Sequence, residues 1–590
     1  MPIYKAPLDD IRFILEDVID AYSLADFPEY TGTSPEESDI MFRAAAAFCE
    51  DVLLPLNQTG DAEGCLLREG RVLTPSGFRE AYETYAKDRW PGLSCKKEYG
   101  GFGLPLVFDC VFEEMASAAN MAFSLYPILS HAAYNLIDKY ADEDLKTIFL
   151  PKLVDGSWTG TICMTEPQGG TDIGLIETQA APQKDGSYRI SGRKIFVSGG
   201  DQDMSENIAH LVLARLPNAM PGIRGLSLFL VPKYLPKTGA RNDVYCEALE
   251  ANMGLHGLPV CAMKFDGAKS WLIGKLGKGA SQIFTMVNEG RLAVGFQALG
   301  IAEIAYQNAA AYAKERHQMR APKGAKFPDK PADPILAQPD VRLHLLTMKA
   351  YTEGCRALAL WTAYKMDVAA RHPVDWQRAK ASRFASVMIP VVKAFLTDRG
   401  FEAANRAMQI FGGRGYARES GMEQFARDVR VTQIYEGTNG VMAMELAMRK
   451  ATQENGLLLR PFFQSVWDFL EEEKGNEKLK EYIPLFKEAF NKLQLASLHI
   501  FKRVDPTDNA AAASDYLRLF GLVAVGFMWL KMAKAASGKL STGGKNSNFY
   551  ETKLSLAAFY FHRILPQVEG LYKAVISDSK LIMAFKPESF

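Results

Sequence analysis

The stretch Gln433-Ile434-Tyr435-Glu436-Gly437-Thr438-Asn439 sets one carboxylate apart, with no acidic, His or Lys neighbour before Asp428 on one side or Glu445 on the other. An apolar Ile-Tyr pair precedes it and a glycine follows. Burial penalises the charged form of a carboxylic acid, so a Glu in such company is harder to ionise. That suits a general base for a weakly acidic C–H bond. Taken alone, the segment also fits an ordinary Glu-Gly turn. What stands upstream decides between the two.

At 590 residues the chain has room for several domains of roughly 100–200 residues each. Its apolar share of 48% and charged share of 23% are those of an ordinary soluble protein. A net charge of -1 gives no reason to expect nucleic acid or an anionic membrane as a partner. The eight cysteines are scattered, with no CxxC pair, and the opening MPIYKAPLDD lacks the basic start and apolar run of a secretion signal. Both features predict free thiols and a cytoplasmic location. The longest apolar run, Leu519 to Leu530, is shorter than the roughly 20 residues a membrane-spanning helix needs. It reads as a buried helix, so no membrane span is expected.

Four textures follow one another. Residues 1–160 carry helical periodicity, in Ile40–Leu56, Ser76–Lys87, Phe108–Asn120 and His131–Tyr140, around a Gly/Pro-punctuated loop from Glu98 to Pro105. Over 161–277 the period falls to two. Ser187–Val197, His210–Arg215, Leu226–Val231 and Ala262–Phe265 read as strands of a small antiparallel β domain. Long helices return over 278–450, such as Ala298–His317 and Val341–Met366, separated by Ala321–Pro339 with its five prolines. A last helical region fills 451–590, with a Gly/Ser/Lys-rich loop from Ser537 to Asn548. The class is therefore α+β.

Several chemistries are missing from the sequence. It has no HExxH, no spaced Cys/His quartet and no calcium-type carboxylate run, so no metal is expected. GxSxG and GxGxxG are absent as well, which leaves no serine-hydrolase elbow and no Rossmann nucleotide site. Gly538 to Lys545 resembles a phosphate loop, but its spacing is one residue too long and Asn546 stands where Ser or Thr is needed.

The positive signals are five. Met164-Thr165-Glu166-Pro167-Gln168-Gly169-Gly170-Thr171-Asp172 offers a hydroxyl and two glycines whose N–H groups can approach a pyrophosphate or a flavin edge. Phe196-Val197-Ser198-Gly199-Gly200 closes a strand with an aromatic for a flat ring and a hydroxyl for a ring nitrogen. Arg316 and Gln318 end a helix, where a cation either complements the helix dipole or neutralises a phosphate. Gln409-Ile410-Phe411-Gly412-Gly413-Arg414-Gly415-Tyr416 follows a helix ending near Phe411, as a C-cap or a backbone contact with a nucleotide. The fifth is the Glu436 segment itself.

In this order and spacing, TEPQGGTD, FVSGG, RHQ, QIFGGRGY and IYEGT resemble the acyl-CoA dehydrogenase family, whose usual forms are TEPxAGSD, WITNG, RxQFG, QxxGGxGY and IYEGT. The resemblance covers roughly residues 40–450. It implies an N-terminal helical domain (1–160), a middle β domain (161–277), a helical bundle carrying the base (278–450) and an additional C-terminal helical domain (451–590). It implies FAD as cofactor and an acyl-CoA thioester as substrate, with Glu436 removing the α-proton while the β-hydrogen leaves as hydride. By the same resemblance Met164, Thr165, Gly170, Thr171, Phe196 and Ser198 match flavin contacts. Arg316, Gln318, Gln409, Gly412, Gly413, Thr438 and Asn439 match the rest of the cofactor site, in part across a dimer interface. Thr171, Arg291, Tyr435 and Gly437 match the substrate side. Some family members carry the base directly before Arg291; here Gly290 stands there and Glu289 one place earlier, so Glu289 reads as solvated or structural. FVSGG departs from WITNG in its aromatic, and Met319 and Arg320 replace the Phe and Gly of RxQFG.

The length and the segment Asp515 to Gly521 are similar to a bacterial subgroup that includes 3-methylmercaptopropionyl-CoA dehydrogenases, which implies 3-(methylthio)propanoyl-CoA as substrate. The expected electron acceptor is an electron-transfer flavoprotein. An acyl-CoA oxidase, and a non-enzymatic flavoprotein on the same scaffold, are the alternatives.

Overall fold

The computed structural model of the protein describes residues 2–30, 33–543 and 546–590, without the side chains of 285 and 286. Two compact units form: one from 45–104 and 115–293, the other from 1–44, 105–114 and 294–590.

The first unit holds the sheet. A short hairpin, β1 (Leu66–Arg68) and β2 (Arg71–Leu73), lies in the region read as helical. Then come β3 (Trp158–Cys163), β4 (Gln179–Pro182), β5 (Tyr188–Ser198), β6 (Asn207–Arg215), β7 (Leu226–Pro232), β8 (Val244–Leu249) and β9 (Val260–Ile273). Pairings β6–β7, β7–β9, β9–β5 and β5–β4 are antiparallel. The purely antiparallel expectation needs correction: β3 runs parallel to β6, and β4 meets β6 in parallel through Gln179 and Arg215. Parallel pairing needs a long crossover, and the β4–β5 hairpin between β3 and β6 supplies it.

Strands β6 and β7 are buried on both faces, which is why they read as nearly unbroken apolar runs. Leu211, Leu213, Leu228 and Leu230 share a core with Ala133, Leu136 and Ile137 of helix α1 (Met121–Tyr140). The alternate residues Val212, Ala214, Phe229 and Val231 pack with Val197, Cys261 and Phe265 on the other side.

Within β6, His210 is fully buried against the edge of the Phe265 ring, with Cys163 Sγ 4.0 Å from its Nδ1. Burial, helped by Lys233 and Arg241, pulls its pKa down to about 3 from the ordinary 6.5. The unfolded chain therefore takes up a proton below pH 6.5 that the folded chain refuses, so stability is lost as pH falls from 6.5 towards 3. Between pH 7.5 and 5 this residue is expected to cost about 2 kcal/mol. Urea titrations at both pH values should show the His210→Leu variant losing less than the parent by that amount. Equal losses would remove His210 as the cause.

The second unit is helical: most of α2 (Gly279–Glu315), then α3 (Pro339–Arg371), α4 (Asp375–Phe411), α5 (Asn439–Met444), α6 (Pro506–Ser541) and α7 (Ser547–Phe559), with shorter helices between. Helix α4 ends at Phe411, as the sequence predicts. Helix α6 contains the apolar run Leu519–Leu530 and is long and apolar enough to cross a membrane by composition, yet 83% of that window is buried inside the protein. Two glycines let it sit close. A Cβ on Gly354 of α3 would meet Val525 and Trp529 at 2.6 and 2.7 Å, and one on Gly521 would strike the Phe395 ring of α4 at 2.3 Å. Trp529 Nε1 donates to the Ala350 carbonyl at 3.1 Å. The loop expected from Ser537 to Asn548 is shorter: 537–541 continue α6 and 547–548 begin α7. Of the phosphate-loop look-alike at 538–545, residues 544 and 545 lie outside the described residues.

Candidate active site

Ten described non-glycine residues have positive φ, and three of them fall inside the motifs: Phe196 (55°), Met319 (60°) and Glu436 (54°). This left-handed backbone costs a non-glycine residue on the order of 1–2 kcal/mol, so its surroundings must enforce it.

In the sheet-bearing unit, Met164 and Thr165 follow β3, and the Thr165 carbonyl accepts from Ile195 N at 2.9 Å, which brings the first motif beside the second. Lys194, fully buried, donates to the Met164 carbonyl at 3.0 Å and to Glu166 Oε1 at 2.7 Å. Glu166 also accepts from the backbone N–H groups of Glu177 and Thr178, at 2.7 and 3.1 Å. Burial works to raise its pKa, but Lys194 and these donors outweigh it and hold the carboxylate below its usual range. This ion pair fastens both motifs together.

A register shift between Lys194 and Val197 then turns Phe196 outward, 57% exposed, with Ser198 half-buried beyond it. Gly170 has open space where a Cβ would stand, and Thr171 is exposed. An outward aromatic, a hydroxyl and accessible backbone N–H groups fit a flat ring with polar edges. Arg291, expected on the substrate side, is 7% exposed and thus mostly interior. Glu289 accepts a hydrogen bond from Asn135 Nδ2, a structural role.

In the helical unit the rings of Tyr312 and Phe411 stack at 4.1 Å, which sets the ends of α2 and α4 side by side. Arg316 and Gln318 therefore share a surface with Gln409, Gly412 and Gly413, all exposed. Gly412 and Gly413 leave open space at their Cβ positions. A cation, two amides and free backbone fit a nucleotide. Buried Asp333 organises the neighbouring turn, accepting from the N–H groups of Ala321, Lys326 and Phe327 at 2.9–3.1 Å. Met319 is exposed and donates no packing there; its carbonyl accepts from Asp333 N.

Glu436 is half-buried between a turn at Val431–Gln433 and helix α5, and Gly437 after it also has positive φ, 92°. Tyr435 donates its hydroxyl to Gln297 Oε1. Burial, and then Glu436, push that phenol up, so it remains a neutral donor. Thr438 Oγ1 caps α5 by accepting from Val441 N at 3.2 Å. Asn439, expected on the cofactor side, turns its side-chain amide onto α4: Nδ2 donates to Thr397 Oγ1 and Asp398 Oδ1 at 2.9 and 2.8 Å. Along α4, Asp398 and Gln409 are separated by about 16 Å of helix rise, so the Glu436 loop and the nucleotide-type surface are distinct places within this unit.

The chain matches family profiles in series: the acyl-CoA dehydrogenase N-terminal domain over 35–157, middle domain over 161–268 and C-terminal domain over 277–451, then an acetyl-CoA dehydrogenase C-terminal-like domain over 462–586. It belongs to the acyl-CoA dehydrogenase family and is an FAD-dependent oxidoreductase. Over 97% of its length it is 37% identical to the 3-methylmercaptopropionyl-CoA dehydrogenase of Ruegeria pomeroyi, covering 98% of that protein. A butyryl-CoA dehydrogenase of Syntrophomonas wolfei is 32% identical over 98% of both chains. An acyl-CoA dehydrogenase of Bacillus anthracis solved with FAD superposes with a TM-score of 0.76 at 19% identity, covering 97% of this chain and 92% of that one, a likeness of fold.

Proposed function

We propose that Glu436 is the base that removes the α-proton of an acyl-CoA thioester, giving the trans-2-enoyl-CoA. The observation that carries this reading is the strained backbone of Glu436 itself. A glutamate is held at φ 54° in a half-buried loop, ahead of a glycine and a capped helix, where a turn alone would take glycine. Bound FAD supplies the acceptor for the β-hydride. Met164, Thr165, Gly170, Thr171, Phe196 and Ser198 hold its ring; Arg316, Gln318, Gln409, Gly412 and Gly413 hold its nucleotide. Thr171, Arg291, Tyr435 and Gly437 serve the substrate. In this reading the Glu436 N–H stabilises negative charge developing on the thioester oxygen, where preorganised donors contribute most.

The substrate is 3-(methylthio)propanoyl-CoA or a short acyl-CoA of the same shape, a reading supported by the 3-methylmercaptopropionyl-CoA dehydrogenase relative and by the butyryl-CoA enzyme. Electrons pass to an electron-transfer flavoprotein in the cytoplasm. The protein acts as a dimer, in keeping with Tyr416 and Met319 standing 84% and 76% exposed beside the nucleotide-type residues.

Thioether sulfur replaces a methylene in pentanoyl-CoA with little change of shape, and one methylene is worth about 1–3 kcal/mol of discrimination in an apolar pocket. Anaerobic mixing with butyryl-, octanoyl-, pentanoyl- and 3-(methylthio)propanoyl-CoA should bleach the flavin fastest with pentanoyl- and 3-(methylthio)propanoyl-CoA. Preference for octanoyl-CoA would overturn the substrate. Rapid reoxidation by air would replace the flavoprotein acceptor with oxygen.

A further inference from the structure

Helix α4 presents Lys393, Ala394, Thr397 and Asp398 on one face, the i, i+1, i+4 and i+5 positions. Lys393 stands within the otherwise buried apolar run Ile389–Leu396 and is 0% exposed. A buried ammonium is costly to desolvate unless acceptors surround it. Here Nζ donates to the Gly437 carbonyl at 2.7 Å and to Asn439 Oδ1 at 3.0 Å.

The same helix face grips the loop elsewhere. Asp398 Oδ1 accepts from Gln433 Nε2 at 2.6 Å, three residues before Glu436, and from Asn439 Nδ2 at 2.8 Å, three residues after it. Thr397 Oγ1 donates to Asn439 Oδ1 at 3.2 Å. Glu436 and Gly437 are thus two consecutive left-handed residues clamped from both ends against one turn of α4.

From this geometry we infer that Lys393 is a positioning residue: its buried ammonium holds the Gly437 carbonyl and the Asn439 side chain so that the Glu436 carboxylate keeps the orientation proton abstraction needs. The inference rests on the reading of Glu436 as the base. Lys393 touches neither substrate nor cofactor in this role. Without it, the loop is free to relax towards right-handed φ, which swings the carboxylate away, and a misplacement near 1 Å costs about 100-fold in rate.

The test uses the full-length, flavin-loaded protein and the Lys393→Met variant, whose side chain keeps the length and loses the donors. Expected are a kcat about 100-fold lower, with affinity for the enoyl-CoA product, read from the bound-flavin spectrum, changed less than threefold. The α-deuterium isotope effect on flavin bleaching should rise, because proton abstraction becomes the slow step. A merely structural lysine does not move that isotope effect. Lys393→Gln, which retains a shorter donor, should recover part of the rate, and it carries the same test if Lys393→Met does not fold. Wild-type kcat and isotope effect in either folded, flavin-bearing variant overturn the inference. Glu436→Gln run alongside separates the two claims. If it is inactive while the Lys393 variants behave as wild type, only the positioning role fails; if it turns over normally, the base assignment fails first.

Discussion

Glu436→Gln is expected to lower the rate of flavin bleaching by an acyl-CoA about four orders of magnitude, the upper end of what a general base contributes. The α C–H of a thioester is a weak acid, so no step can proceed without a group to receive the proton. Glutamine has nearly the same shape and offers no basic lone pair at neutral pH. The substitution leaves the clamp on either side intact, since Gln433, Gly437 and Asn439 make the contacts with α4. Flavin content, melting temperature and product affinity should therefore stay at wild-type values while turnover disappears. Stopped-flow bleaching under nitrogen measures the loss directly. Turnover within tenfold of the parent would mean that another group takes the proton. Glu289 is poorly suited to do so, being hydrogen-bonded to Asn135.

The motifs were readable because each carries local chemistry. A strand ending in Phe-Val-Ser-Gly-Gly and a helix ending at Phe411 before two glycines are decided by a few neighbouring residues. A period of two between turn residues found β5, β6 and β7, although β6 and β7 prove buried on both faces. Less legible were features set by distant partners. The β1–β2 hairpin is only three residues a strand, too short for a period to emerge. The parallel β3–β6 pair depends on a crossover that no local pattern specifies. The hydrogen bonds of the Asn439 amide to α4 could not be read from its motif, because Thr397 and Asp398 lie about forty residues away in sequence. Lys194 and Lys393 left a trace that could have been used: each is a lone ammonium in a stretch whose alternation or helical face is otherwise interior. A charge in such a place announces a buried partner without saying which one. Arg356 shows the limit, because one of its partners is 346 residues away in sequence.

That arginine carries the largest expected effect on folding. Arg356 is fully buried and donates to Asp10 at 2.5 Å, to Glu114 at 2.8 and 2.7 Å, and to Glu303 at 2.6 Å. Lys553 of α7 bridges Asp10 and Glu353, and Lys349 pairs with the other oxygen of Glu353 at 2.6 Å. The network joins the N-terminal helix Leu8–Phe13, α2, α3 and the C-terminal α7, so the region beyond 450 supplies one of its cations. Four carboxylates face three cations. Burial pushes the Glu114 carboxyl up despite Arg356, and its Oε2 has no hydrogen-bond partner among the described residues, both of which favour a proton there and a neutral cluster. Arg356→Met strands Glu114 and Glu303 and leaves Asp10 to Lys553 alone. Breaking one buried pair costs about 3–5 kcal/mol, and a domain's whole stability is only about 5–15 kcal/mol. The variant is expected in inclusion bodies, or folded with a melting temperature lowered by ten degrees or more, about what a loss of several kcal/mol produces. Glu114→Gln, which mimics the protonated acid, should cost no more than about 1 kcal/mol because it leaves Arg356 with Asp10 and Glu303. Lys553→Met should fall between the two, since Arg356 still faces Asp10. Calorimetry of the three variants checks that order. An Arg356→Met protein melting with the parent would show that the cluster is neutralised by protons rather than by arginine.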